Sequence, residues 1–143
     1  MNFEKLNIEH IPYFYDIRFS VKENMLLPQH IQYLQREKLI EDIEQGGGWI
    51  CRYDSKFVGV AFGVFAPEPL IGALFVKPEY QSMGIGTKLL GLVTDWFFER
   101  NVKEIMLTTD TGSKAEGFYK RKGWFFSCID EFGQSVLIKR RGE

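Results

Sequence analysis

Two glycines separated by one residue follow an apolar run in the middle of the sequence. The run is LIGALFV at positions 70–76, and Gly84 and Gly86 lie in the segment QSMGIG, just before an amphipathic stretch. Glycine lacks a Cβ, so a ligand can approach the backbone closely there. A helix N-terminus adds unpaired N–H groups and the positive end of a dipole, both of which attract anions. The segment therefore predicts a phosphate-binding loop between a strand and a helix.

Two other phosphate-binding motifs fit this segment less well. A dinucleotide site is favoured by Asp110, which closes a later strand where an acidic ribose ligand would lie, but position 89 is leucine where a third glycine is needed. A kinase-type loop needs an upstream glycine and the order Gly-Lys-Thr, whereas Gly86-Thr87-Lys88 has the reverse order. Neither alternative is adopted.

Tyr119, on a later predicted helix, is a second residue that could take part in a reaction. The residues Ser113-Lys114-Ala115-Glu116 form a capping box, so a helix is predicted to begin there, run to Lys122 and end at Gly123. A tyrosine on a helix more often packs than reacts. Its role therefore depends on what the rest of the chain places beside it.

The elements that must position these segments alternate along the chain. Periodicity and turn signals predict a single α/β domain over residues 1–143, in which the apolar run 70–76 is a central strand with both faces buried. The predicted order is a strand at 2–7, helices at 12–21 and 28–45, a hairpin at 49–53 and 56–65, the central strand at 70–76, a helix from the glycine loop to about 101, a strand at 104–109, a helix at 113–122 and a hairpin at 124–130 and 135–140.

This order resembles the GNAT superfamily of acetyl-CoA-dependent N-acetyltransferases over nearly the whole chain. Gln81, Gly84 and Gly86 match its cofactor motif, and Ala115-x-x-x-Tyr119 followed by Gly123-Trp124 resembles a second family segment. Residues 18–26, RFSVKENML, resemble a stretch of one bacterial subgroup in the region that usually shapes the acceptor pocket. Gly112 departs from the pattern, because many members have asparagine there to hold pantetheine and the splayed strands.

The resemblance implies the GNAT fold, with a mixed, mostly antiparallel sheet of about six or seven strands, about four helices and a central splayed parallel pair. It also implies acetyl transfer from acetyl-CoA, as co-substrate, to a primary amine by direct attack, with Tyr119 as general acid toward the thiolate. The residues it implies for cofactor binding are Phe75, Val76, Gln81, Ser82, Met83, Gly84, Ile85, Gly86, Thr87 and Tyr119.

The general base is left open by the sequence. The central strand has no carboxylate, so Glu23, Glu68 and Asp110 are the candidates, and a base acting through ordered water is an equal alternative. A non-catalytic acyl-CoA-binding sensor of the same fold is the alternative function. The aromatic clusters at 96–98 and 124–126 leave a monomer or a homodimer open.

Composition limits the class of protein and its partners. A net charge of −1 and a pI near 6.2 argue against a nucleic-acid binder, and no apolar run is long enough to span a membrane. Cys51 and Cys128 have no metal-ligand or disulfide spacing, so no metal is expected and a reducing cytoplasm is the predicted location. The expected acceptor is a small-molecule or peptide amine.

Overall fold

A computed structural model describes residues 1–22, 31 and 35–142 of the chain. Within this part, seven strands form one mixed sheet in the order β1-β2-β3-β4-β5-β7-β6. The strands are β1 (Asn2–Lys5), β2 (Gly48–Tyr53), β3 (Lys56–Phe65), β4 (Pro69–Val76), β5 (Glu104–Thr109), β6 (Phe125–Ile129) and β7 (Ser135–Arg140). All neighbouring pairs are antiparallel except β4 and β5, which are parallel. The predicted mixed sheet with one central parallel pair is confirmed.

The described residues include four α-helices, as predicted: α1 (Ile11–Ser20), α2 (Arg36–Glu44), α3 (Ile85–Phe98) and α4 (Lys114–Arg121). The second helix was predicted over 28–45, and this prediction is wrong at its start. Gln35 has extended backbone dihedrals, φ −66° and ψ 141°, so α2 begins only at Arg36. Residues 28–30 and 32–34 of that predicted span lie outside the described part.

Two apolar layers cover the two faces of the sheet. On one face α3 contributes Leu89, Val93 and Phe97, and these side chains pack over the small residues of β3. A Cβ added at Gly63 would lie 2.4 Å from the Phe97 ring and one at Gly59 would lie 2.8 Å from Ile85, so the glycines admit the helix. On the other face α1 and α2 pack against the bulky β3 residues Val60, Phe62 and Val64. The alternation of large and small residues in β3 therefore separates the two layers.

The parallel pair diverges toward its C-terminal ends. β4 and β5 pair at one register position, Leu70 with Met106, near the beginning of β4. Leu74, Phe75 and Val76 are consequently half-buried, whereas the apolar run predicted a strand buried on both faces. This part of the prediction is wrong because β5 leaves the edge of β4 uncovered. The sheet opens where the chain leaves β4 for the glycine loop.

The two aromatic clusters differ in their exposure. Trp96 and Phe97 of α3 and Trp124 are buried in the apolar layer between α3 and the sheet, whereas Phe126 on β6 is 47% exposed. The first cluster and Trp124 thus belong to the core. Within residues 1–22, 31 and 35–142, no helix combines the length and the apolar character that a membrane span requires.

Candidate functional site

A cleft of about 790 Å³ lies where β4 and β5 diverge. Its walls come from the end of α1, the C-terminal half of β4, the glycine loop with the first turn of α3, and the segment from Gly112 into α4. The lining residues are Val21, Leu74, Phe75, Val76, Gln81, Ser82, Gly84, Gly86, Thr87, Gly112, Ser113, Lys114, Ala115, Gly117, Phe118, Tyr119, Arg121 and Lys122. The glycine loop around Gly84 and the helix residues around Tyr119 therefore line the same cleft.

The glycine loop presents backbone N–H groups to this cleft. Ser82 and Gly84 have left-handed dihedrals, φ 68° and φ 86°, and α3 begins at Ile85. The N–H of Lys88 donates to the carbonyl of Gly84 at 3.1 Å, so the preceding amides of the first turn have no partner within the helix. A phosphate in the cleft would meet these amides and the positive end of the α3 dipole. The geometry is that of an anion cradle.

Eight of the ten residues predicted to bind the cofactor line the cleft, namely Phe75, Val76, Gln81, Ser82, Gly84, Gly86, Thr87 and Tyr119. The other two have side chains elsewhere. Met83 is an exposed loop residue, and Ile85 is 1% exposed in the core, against β3 at Gly59. Only the backbone of these two residues is placed to take part in an anion site.

Gln81 fastens the glycine loop to the end of β4. Its side-chain Nε2 donates to the carbonyl oxygen of Val76 at 3.0 Å, across the five-residue connection. The side chain is thus used to hold the loop against the cleft wall.

If the cleft binds acetyl-CoA, as the family resemblance implies, replacing Gln81 by alanine is expected to raise the KM for acetyl-CoA about threefold to tenfold, because a typical hydrogen bond contributes roughly 1 kcal/mol. The value of kcat at saturation should change less than twofold, since the reacting groups are not moved. Steady-state kinetics over a range of acetyl-CoA concentrations measures both. Gln45→Ala, which removes a glutamine that bonds Phe65 where β3 pairs with the beginning of β4, away from the cleft, is the control. An unchanged KM in Gln81→Ala would show that the hydrogen bond from Gln81 to Val76 does not support binding in the cleft.

Tyr119 lies on α4 with its ring packed edge to face against Phe118 and Trp124. It is 7% exposed and borders the cleft, and burial raises the pKa of its hydroxyl well above the ordinary value. No hydrogen-bond partner of this hydroxyl occurs among the residues that the structure describes. The phenol is therefore protonated at neutral pH and can donate to a group in the cleft.

The candidate bases are placed very differently. Asp110 follows β5 and its Oδ1 accepts from Gln134 Nε2 at 3.1 Å, beside the diverging strands but outside the cleft lining. Glu68 precedes β4, roughly 25 Å along that strand from Val76, so it is wrong as a candidate. Glu23 lies outside the described residues.

Arg18 is a residue that the sequence analysis noted only within a family-like stretch. It is 8% exposed on α1, and its guanidinium lies 4.4 Å from the centroid of the Phe75 ring in β4. Burial lowers the pKa of Arg18, and the charge of Asp110 opposes that shift. Arg18 therefore connects α1 to the open end of the strand pair. An arginine inside an apolar helix face is the signal that could have identified it.

Basic side chains border the α4 side of the cleft. Lys114, Arg121 and Lys122 all line it, and Arg121 extends back along the helix so that a Cβ on Gly117 would be 3.2 Å from its Nη1. This wall adds positive charge to the amides of the glycine loop. Both features suit a ligand with several phosphates.

The capping box of α4 forms with one change from the predicted pattern. The Ser113 hydroxyl accepts from the Glu116 amide at 3.1 Å as expected, but Glu116 Oε1 accepts from the amide of Gly112 at 3.0 Å rather than from Ser113. Hydrogen bonds from the Ser135 hydroxyl and the Gly112 amide, together with the charge of Lys120, hold the pKa of Glu116 below its ordinary value.

This lowered pKa predicts how stability depends on pH. The contribution of Glu116 is fully present above the unfolded pKa, near 4.5, and is lost as the pH falls through the lower folded pKa. The difference in unfolding free energy between wild type and Glu116→Gln should therefore be largest at neutral pH and shrink below about pH 4.5. Urea unfolding at a series of pH values measures it. If the difference in unfolding free energy is the same at pH 3 as at pH 7, the pKa of Glu116 is not lowered in the folded state.

Among the described residues, no group of three or more His, Cys, Asp or Glu side chains is placed to hold a metal ion. Cys51 is a buried residue of β2, and Cys128 is an exposed residue of β6. The cleft lining itself consists of backbone amides, apolar side chains, hydroxyls and cations.

Comparison of the sequence with protein-family models identifies a family over most of the chain. The sequence model of the Acetyltransferase (GNAT) family matches residues 11–124. No curated protein matches by sequence.

Three solved structures illustrate the fold similarity, each at 18% sequence identity. The PaiA N-acetyltransferase of Thermoplasma acidophilum in complex with coenzyme A has a TM-score of 0.79, with 97% of this chain and 98% of that chain covered. A GNAT acetyltransferase of Staphylococcus aureus Mu50 has a TM-score of 0.80 with the same coverage. Arabidopsis thaliana Naa50, in complex with a bisubstrate analogue, has 0.75, with 96% and 97% covered. At this identity these similarities show the fold alone.

Proposed function

This chain belongs to the GNAT acetyltransferase family, and from that premise we propose that it transfers an acetyl group from acetyl-CoA to a primary amine by direct attack in a ternary complex. One observation carries the proposal. The cleft joins an anion cradle, an uncovered strand edge and a buried phenol in one continuous space. We further propose that residues 1–143 act as a single domain.

The proposed cofactor site uses three walls of the cleft. The amides at the beginning of α3 would hold the pyrophosphate, and the uncovered edge of β4 at Phe75 and Val76 would pair with pantetheine. Arg121 and Lys122 are placed to offset the remaining phosphate charge. Holding both substrates in one complex would supply much of the acceleration, up to about 7–11 kcal/mol in well-oriented systems.

Tyr119 is the proposed general acid. When the amine nitrogen attacks the thioester carbon and the C–S bond breaks, the thiolate sulfur takes a proton from the Tyr119 hydroxyl. Burial raises the pKa of this phenol, so it carries its proton at neutral pH and can donate a hydrogen bond to the sulfur as negative charge develops there. The acid therefore needs no neighbouring side chain to hold it protonated.

The proton of the attacking amine has no direct acceptor among the described lining residues, none of which is a carboxylate. We propose ordered water as the first acceptor, with Asp110 or Glu23 as the groups that could receive the proton beyond it. The acceptor is proposed to be a small-molecule or peptide amine. The protein is proposed to act in the cytoplasm.

Two measurements test the proposal. Acetyl-CoA at 100 times its Kd should stabilise the folded protein by about 2.7 kcal/mol, which raises the melting temperature by several degrees. An unbiased panel of amines, followed by detection of the free thiol of CoA, should then give turnover with at least one class. The absence of any thermal shift at millimolar acetyl-CoA would overturn the cofactor assignment.

The lack of a carboxylate in the described cleft lining favours a second candidate, a non-catalytic acyl-CoA sensor. The same panel separates the two functions. A thermal shift with acetyl-CoA and no thiol release across amino acids, polyamines, aminoglycosides and peptide N-termini would support the sensor. Thiol release with matching acetylated product excludes it.

A further inference from the structure

Glu116 is a buried carboxylate in the element that carries Tyr119. It lies three residues before Tyr119 on α4 and is 8% exposed. Its Oε1 accepts from the Gly112 amide at 3.0 Å and lies 3.8 Å from Lys120 Nζ, and the Ser135 hydroxyl also donates to the carboxylate. A buried carboxylate with this set of donors is satisfied as an anion.

These contacts tie α4 to the sheet beside the diverging strands. Ser135 is the first residue of β7 and is paired with Thr109, the last residue of β5. The Ser135 hydroxyl is also 3.1 Å from the Thr111 hydroxyl, in the connection that leads from β5 to α4. Ser135 is fully buried, so its hydrogen bonds are shielded from water. Glu116 therefore connects the helix of Tyr119 to both ends of this connection.

Gly112 has no side chain that could hold this part of the loop in place. Gly112 has φ 76°, and no atom lies within 4 Å of where a Cβ would be. The loop wall of the cleft thus has no side chain of its own at this point. Its backbone is fixed by the hydrogen bond from its own amide to Glu116 and by that from the Ser113 amide to the Asp110 carbonyl at 3.2 Å.

We propose that Glu116 is a positioning residue that fixes the backbone at Gly112 and holds the Tyr119 hydroxyl toward the thioester. The inference rests on the proposed role of Tyr119 as general acid. Glu116 itself makes no contact with the cleft, since it is absent from its lining, so it acts through the 112–115 wall and through α4.

A double-mutant cycle tests whether Glu116 acts through Tyr119. Glu116→Gln keeps the size of the side chain and removes its charge, and it is expected to lower kcat roughly tenfold to a hundredfold, because small misplacements of reacting groups have effects of this size. Its Kd for acetyl-CoA should change less than about threefold. In a Tyr119→Phe background the same substitution should lower kcat less than about twofold, since the group being positioned is already lost.

The matched control is Glu104→Gln. Glu104 opens β5 at the end away from the cleft, is exposed, and pairs with Arg140 at 3.1 Å. This variant should leave kcat within about twofold of wild type. Equal losses from Glu116→Gln in the two backgrounds would overturn the proposal, because a purely structural role gives independent effects.

A measurement without turnover separates this inference from the proposed function. In wild type the Gly112 amide should be protected from hydrogen exchange, and in Glu116→Gln its protection should fall at least about tenfold while the Tyr119 ring signals shift in the NMR spectrum. If wild type acetylates no amine, the proposed function fails, and this experiment still decides the position of Tyr119. Unchanged Tyr119 signals in Glu116→Gln would overturn the inference even in an active enzyme.

Discussion

Replacing Tyr119 by phenylalanine is expected to lower kcat by about 10²–10⁴-fold, which corresponds to about 2.7–5.4 kcal/mol in the activation free energy. The ring would keep its contacts with Phe118 and Trp124, so only the hydroxyl and its proton are lost. The Kd for acetyl-CoA should change less than about twofold. Steady-state kinetics together with calorimetric titration of acetyl-CoA measures the two effects separately.

The control for this prediction is Tyr13→Phe. Tyr13 is 47% exposed on α1 and contacts Phe57, so the substitution removes the same hydroxyl from a place outside the cleft. Its kcat should match wild type within about twofold. Full activity in Tyr119→Phe would remove this residue from the acid role, and the thiolate would then have to leave unprotonated or take its proton from water.

The second large effect is expected from a negative charge in the anion cradle. Gly86→Glu should weaken acetyl-CoA binding at least about 100-fold, about 2.7 kcal/mol, because like charges brought together in a ligand site cost several kcal/mol. The fold should tolerate the change. A Cβ at this position would lie 3.6 Å from Phe118 and 3.8 Å from Val76, which are ordinary contacts, and a carboxylate in the first turn of a helix is favourable.

Gly91→Glu is the matched control on the same helix. Gly91 has no atom within 4 Å of where a Cβ would be, lies outside the cleft lining and follows Gly86 by more than one helical turn, so the same charge is added farther from the first-turn amides. The Kd of this variant should stay within about threefold of wild type. Calorimetric titration and thermal shift with acetyl-CoA measure both variants. Wild-type affinity in Gly86→Glu would show that the pyrophosphate does not bind at the beginning of α3.

Much of the fold could be predicted from the sequence because the local signals agreed with one another. Asp54 and Ser55 have φ values of 51° and 63°, the left-handed pair that a two-residue hairpin turn requires, and the strands on either side pair as predicted. Ser113 and Gly123 cap the two ends of α4 at the predicted places. Each of these features is fixed by residues within one or two turns of backbone.

The second helix and the central strand show where such local signals fail. The apolar positions before Arg36 are compatible with a longer helix, but the extended backbone of Gln35 interrupts it. The run at 70–76 is apolar throughout, yet Phe75 and Val76 line an open cleft. An apolar strand gives the same sequence pattern whether its neighbour stays beside it or diverges, because burial depends on the partner strand.

By itself the sequence determined the glycine loop between strand and helix, the order of the elements and the ends of α4, because turn glycines, caps and periodic apolar residues act over short distances. The acid role of Tyr119 came only from the resemblance to the family. Only the tertiary structure decided how these parts meet. It placed Glu68 at the far end of β4 and Asp110 beside the open end of the strands, and it gave the Gly112 amide to Glu116. These outcomes depend on the divergence of β4 from β5 and on the pairing of β7 with β5, which involve residues distant in sequence and leave no local pattern.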